Sequence, residues 1–200
     1  MTLTIDSSPL DLPVLPGETF KAYFNRIADH LLKSGRCIGT SQIDGQPVQD
    51  ISFGQDLFKT ASTLAIETVP LHVALQANIG LQCNAMRRIE DSCENLITDA
   101  LLADPRQVAN AWVSLCDEIK GILAFLPVLN GLLTEQQLDS LIDDRLAALN
   151  AVMNEIGETL SKADVVAFSD LLELKLMPWL VGMREFLQSQ LTLVDTLSKK

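Results

Sequence analysis

Histidine is nearly absent, with two in 200 residues, and that scarcity removes several chemistries at once. Hydrolytic triads and Cys–His pairs need an imidazole to move protons near neutral pH. Only His30 and His72 are present, neither beside a serine or cysteine nucleophile motif, and no Gly-x-Ser-x-Gly occurs. A ferritin-type di-metal centre needs Glu-x-x-His on two helices, and no such pattern exists. Glycine-rich phosphate loops and a Walker lysine motif are missing too, which disfavours nucleotide chemistry. The expectation is a protein with no catalytic residues, no cofactor and no metal.

Other shortages narrow the partners. Aromatic residues make up 5% of the chain, few for the stacking platforms that bind single-stranded nucleic acid. Basic residues number 15 against 26 acids, and the net charge of −11 repels phosphate backbones and anionic lipid. The only adjacent basic pairs, Arg87-Arg88 and Lys199-Lys200, do not make a binding stripe. Nucleic acid is therefore excluded as an expected partner. The longest apolar runs, Ile122 to Leu129 and Leu176 to Met183, fall far short of the ~18 residues a membrane span needs, so no membrane insertion is expected. Cys37, Cys83, Cys93 and Cys116 show no CxxC spacing, and Met-Thr-Leu-Thr-Ile-Asp lacks the basic start and apolar core of a signal peptide. A reducing, cytoplasmic setting is the expectation. The carboxylate pairs Glu90-Asp91-Glu94, Asp117-Glu118 and Asp143-Asp144 fall in the polar stripes of helices, the usual place for a solvated face.

What is present has two grammars. Over residues 1–69 short extended segments alternate with turns, predicting a small α+β domain of one helix on a small sheet. Leu3-Thr4-Ile5 reads as a strand and Asp6-Ser7-Ser8-Pro9 as a turn. Glu18 to Ser34 places Phe20, Phe24, Ile27, Leu31 and Leu32 at helical steps, with Gly35 just beyond its end. Arg36 to Ile43 and Ser62 to Thr68 read as strands, the first with weak alternation, and Asp44-Gly45 is a turn dipeptide. Ile43-Asp44-Gly45-Gln46-Pro47-Val48 echoes Ile5-Asp6-Ser7-Ser8-Pro9-Leu10. Six positions fit a duplication and two turns solving one problem equally well.

Residues 70–200 carry nearly continuous helical periodicity and predict an antiparallel four-helix bundle, because short connections leave no path for a crossover. The first helix starts near Pro70, and Asp104-Pro105 caps the second. That second helix is expected to reach Asn130-Gly131, and Thr134 to Gln137 has capping-box form for the third. Ser161 to Asp164 marks the last junction. The whole is α+β, mostly α.

Proline inside two apolar runs, at Leu126-Pro127-Val128-Leu129 and Met177-Pro178-Trp179-Leu180, is the unusual feature. Each proline removes a donor and bends or ends its helix. Kinks there would open a groove lined by Leu126, Pro127, Leu129, Met177, Pro178, Trp179 and Met183. Alternatively both runs are core; yet eight consecutive apolar residues exceed what one buried helix face needs, so some must face outward. The function expected from this reading is a non-catalytic interaction protein, adaptor or chaperone-like, offering an apolar groove of an acidic bundle to a protein partner or to a second copy as a homodimer. The alternative is an apolar small-molecule binder, or an enzyme without familiar motifs, using the bundle interior.

Overall fold

The computed structural model describes residues 1–48, 57–102, 104–132 and 138–197. The capping-box sequence Thr134 to Gln137 and the Lys199-Lys200 pair lie outside the described residues. The chain forms two compact units, Met1–Ala77 and Asn78–Thr196.

The first unit is a five-stranded mixed sheet with one helix. Its strands are β1 (Thr2–Ile5), β2 (Ser8–Pro9), β3 (Arg36–Ile43), β4 (Gln46–Pro47) and β5 (Thr63–Pro70), in the order β2-β1-β5-β3-β4. Helix α1 (Phe20–Lys33) separates β2 from β3, and the short α2 (Leu57–Thr60) precedes β5. β1 and β5 are parallel at the centre, whereas β3 runs antiparallel to β5. Thr19 caps α1 by accepting from the Ala22 N–H, and Gly35 follows at φ 68°, the left-handed stop that glycine adopts without a Cβ penalty. Phe20, Tyr23, Ile27 and Leu31 of α1 meet Leu3, Leu64 and Ile66 in one buried cluster. The opposite sheet face is polar, with Thr2, Thr63, Ala65 and Gln42 exposed, so only one face needs a partner.

The weak alternation of β3 has a structural cause. A bulge lies between Ile38 and Thr40, and a Cβ on Gly39 would sit 2.9 Å from Val69 Cγ1. The extra residue flips the side-chain parity, so Ile38 and Ile43, an odd number of residues apart, both pack on the core side.

The two echoing phrases become two hairpins around β5. Asp6 and Ser7 (φ 49° and 65°) and Asp44 and Gly45 (φ 48° and 80°) form two-residue turns with positive φ at both central positions, as the twist of a hairpin favours. Each aspartate then reaches β5. Asp6 accepts from the Thr68 N–H (2.8 Å) and hydroxyl (2.7 Å), and Asp44 from the Thr63 N–H (2.8 Å) and hydroxyl (3.0 Å) as well as the Ser62 N–H. The repeat thus places one carboxylate clasp near each end of the central strand. These hydrogen bonds hold both carboxyls below the ordinary aspartate range.

β5 passes into α3 (Leu71–Ala100) with no linker, and the Leu71 N–H donates to Gly35 O. After α3 come α4 (Pro105–Leu123), α5 (Leu126–Leu132), α6 (Leu138–Ser161), α7 (Val165–Leu171), a π-helical segment (Leu172–Leu176) and α8 (Met177–Leu197). Asp104 and Asp164 cap α4 and α7 through their side chains, and Pro105 occupies the first turn of α4.

Side-chain pairs fix the helix directions. Ser169 donates to Ile97 O while Arg184 meets Glu90, so the α7–α8 arm runs opposite to α3. Lys175 meets Glu155 while the Trp179 indole donates to Arg145 O, so the arm also runs opposite to α6. The fold is α+β, mostly α, with an antiparallel bundle of four helical runs. One expectation needs correcting: the second run does not continue to Gly131 as a single bent helix. α4 ends at Leu123, and Pro127 stands in the first turn of the separate α5, where its missing N–H costs no helical bond.

Candidate functional site

Burial divides the seven residues expected to line a groove. Leu126, Leu129 and Met183 are fully buried and belong to the core. Pro127 and Pro178 are exposed, and Met177 and Trp179 are half-buried. The Trp179 indole N–H donates to Arg145 O at 2.9 Å, which pins the ring against α6. The three core leucine and methionine side chains therefore line no open groove, and the surface character resides around Met177 and Pro178.

The backbone there is unusual for a physical reason. Pro178 has no N–H to offer the Leu174 carbonyl four residues back. One position earlier, the Met177 N–H bonds to Leu172 O, five residues back, instead of to Glu173. Two successive carbonyls, of Glu173 and Leu174, thus lose the donors an α-helix would supply. The extra residue in this turn also shifts the helical phase. Leu172 and Leu176 stay buried, while Leu174 between them is 70% exposed.

Met177, Pro178 and Val181 lie three, four and seven residues after Leu174, which places the four on one face. Leu174 and Pro178 are exposed and Met177 and Val181 half-buried, so the face is open and apolar at its centre. Asp170 and Glu173 lie at one end and Glu185 at the other, all exposed. Among the described residues none of the three has an ion-pair partner. The neighbouring cations are already engaged: Lys175 pairs with Glu155, and Arg184 Nε meets Glu90 at 2.7 Å. The Glu90 carboxylate raises the Arg184 pKa above its usual value, so that cation stays locked to its partner.

Two hollows contrast with this face. The first, about 110 Å³, lies among the C-terminal ends of α3 and α6 and the starts of α4 and α7, lined by residues including Ala100, Val108, Leu160 and Phe168. Its one carboxylate, Asp164, is committed to capping α7. Cofactor and ligand sites usually measure ~300–1,000 Å³ and present converging polar groups, so this hollow fits neither requirement. The second, of about 320 Å³, lies in the first unit between Met1–Leu3 and Pro9–Val14. The Tyr23 hydroxyl on its wall is already donated to Leu12 O, at 2.8 Å.

No other chemistry gathers among the described residues. No group of three or more His, Cys, Asp or Glu side chains is placed to hold a metal ion. His30 is exposed and His72 half-buried. Burial pushes the Cys93 thiol up to about 12, and those of Cys37, Cys83 and Cys116 also rise, so none is an activated nucleophile. No described helix is long and apolar enough to cross a membrane.

Comparison with family models, with curated proteins and with solved structures finds no match to this chain. The site therefore rests on its own geometry. Leu174, Asp170 and Glu173 were missed by sequence reasoning, although one signal was visible. Leu174 stands two residues from both Leu172 and Leu176, off the helical stripe those two make four residues apart, and an apolar residue off that stripe has to be covered or exposed.

Proposed function

We propose that the protein is a non-catalytic interaction protein, adaptor or chaperone-like, whose helical unit offers the Leu174–Val181 face to a protein partner. The observation that carries this reading is the π turn before Pro178. It turns a 70%-exposed leucine outward beside a half-buried methionine, within a helical arm whose Leu172, Leu176, Leu180 and Leu187 are buried. π turns recur at functional positions because the inserted residue disturbs the helix and persists only where something is gained. The smallness of the apolar hollow among the bundle helices weighs against the alternative of a small-molecule binder working from the bundle interior.

The test is site-specific crosslinking in cells that express the full chain, with a photoreactive side chain placed at Leu174 or, as a control, at exposed Asp117 on α4. A discrete protein adduct from position 174 and none from 117 is the expected result. Equal labelling from both positions, or none from 174, would overturn the reading.

A further inference from the structure

The same face specifies the chemistry of what covers it, granted the interaction reading above. Its apolar centre, from Leu174 to Val181, spans eight residues, or about 10 Å along the helix axis. The flanking acids Asp170 and Glu185 are about 22 Å apart by the same rise. Asp170, Glu173 and Glu185 carry no ion pair among the described residues, and Lys175 and Arg184 are held by Glu155 and Glu90. The carbonyls of Glu173 and Leu174 lack the donors four residues on that a regular α-helix would supply. The charged groups on this face that lack an ion-pair partner among the described residues are consequently all anions, arranged around an aliphatic strip one helix row wide.

We propose that the occupant is a basic amphipathic helix of a partner protein. About four turns long, it would lay two or three aliphatic side chains on Leu174, Met177 and Val181 and direct lysine or arginine toward Asp170, Glu173 and Glu185. A helix fits because a single row of ridges at steps of three and four is the surface into which another helix packs. Cations fit because they complement all the free groups at once, whereas a second copy of this chain would bring acids against acids. The residues 70–200 hold 18 acids and 10 bases, so that repulsion is general as well as local.

The experiment uses the full chain and three labelled synthetic peptides of about 18 residues, followed by fluorescence anisotropy near physiological salt. One peptide has leucine at helical spacing on a lysine background, one has the same leucines on a glutamate background, and one scrambles the leucine–lysine sequence. The leucine–lysine helix should bind at least tenfold more tightly than either of the others. The double substitution Asp170→Lys with Glu173→Lys should weaken it tenfold or more, while Asp117→Lys with Glu118→Lys on α4 should change it less than twofold. Equal weakening by both pairs would reduce the effect to diffuse attraction and overturn the proposal. Comparable binding of the glutamate peptide would overturn it as well, as would concentration-dependent self-association in sedimentation that Leu174→Ser abolishes. If no peptide binds while the Leu174 photoadduct persists, the basic-helix chemistry fails and the interaction reading stands; if the adduct is absent too, both fail.

Discussion

The two units are held together by different means. In the first, a modest apolar cluster under the sheet is supplemented by side chains that grip backbone: Asp6 and Asp44 on β5, and Arg26, which bonds both Glu18 and Pro13 O to fasten the segment leading into α1. In the second, long apolar stripes do most of the work, and the polar pins are few and far apart, such as Arg184 to Glu90 and Trp179 to Arg145. A small sheet with two-residue edge strands has little apolar area to bury, so short polar clasps define its register. A helical bundle has area to spare, and can leave part of one helical arm facing solvent. That surplus is what leaves Leu174 exposed.

The contrast is sharpest in the core of the helical unit. Phe168 is fully buried and meets Trp112 edge-on at 5.9 Å. Phe168→Ala should cost about 3–5 kcal/mol in chemical denaturation. Amide exchange at Thr63 and Thr68 should change far less than exchange within α7 and α8; an equal loss in both places would mean that the units share one cooperative transition.

Acid should act the other way round. The folded pKa values of Asp6 and Asp44 lie below their unfolded values, so the stabilisation these carboxylates give is present above pH ~4 and is lost as pH falls through the folded values. As pH falls below about 4, protection of the Thr63 and Thr68 amides should fade before that of α3 and α8. Asp44→Asn should flatten the Thr63 dependence and leave that of Thr68 in place. Simultaneous loss in both units would remove the distinction between clasped sheet and packed bundle.

Smaller effects refine the picture. Trp179→Phe keeps a ring against α6 but removes the bond to Arg145 O, and should cost about 1 kcal/mol with little change elsewhere. A cost several times larger would make Trp179 a core anchor and would tie the α8 surface to folding. Ser7 holds φ 65° in the second position of its turn, where Gly45 stands in the sister hairpin. Ser7→Gly should therefore raise the stability of the first unit by up to ~1 kcal/mol, read from its denaturation midpoint. A loss would show that the hydroxyl matters more than the backbone.

How much of this was legible beforehand depended on whether a local rule was also the whole rule. Asp104-Pro105 announced its cap, Asp44-Gly45 its turn and Gly35 its helix stop, because each signal is complete within a few residues. The β3 alternation was blurred because the bulge at Gly39 depends on how closely Val69 approaches across the sheet, a long-range fact. Pro127 and Pro178 looked alike in sequence and behave differently. Pro127 begins a helix after a break at Ala124-Phe125, whereas Pro178 is absorbed by a π turn that keeps the helical arm continuous. Nothing within either tetrapeptide distinguishes those outcomes. The apolar surplus of Leu176 to Met183 was countable, but which of its members turn outward depends on the phase shift that the π turn introduces.

Leu174→Ser, read for folding and for contact together, tests the proposed recognition face most directly. The substitution is made in a chain carrying the photoreactive side chain at exposed Glu185, and thermal unfolding is followed beside adduct yield in cells. Because Leu174 is largely exposed, folding stability should stay within about 0.5 kcal/mol of the parent while the adduct falls at least tenfold. A melting temperature that drops by many degrees with the adduct unchanged would make Leu174 a packing residue, and would contradict the assignment of this face to a partner.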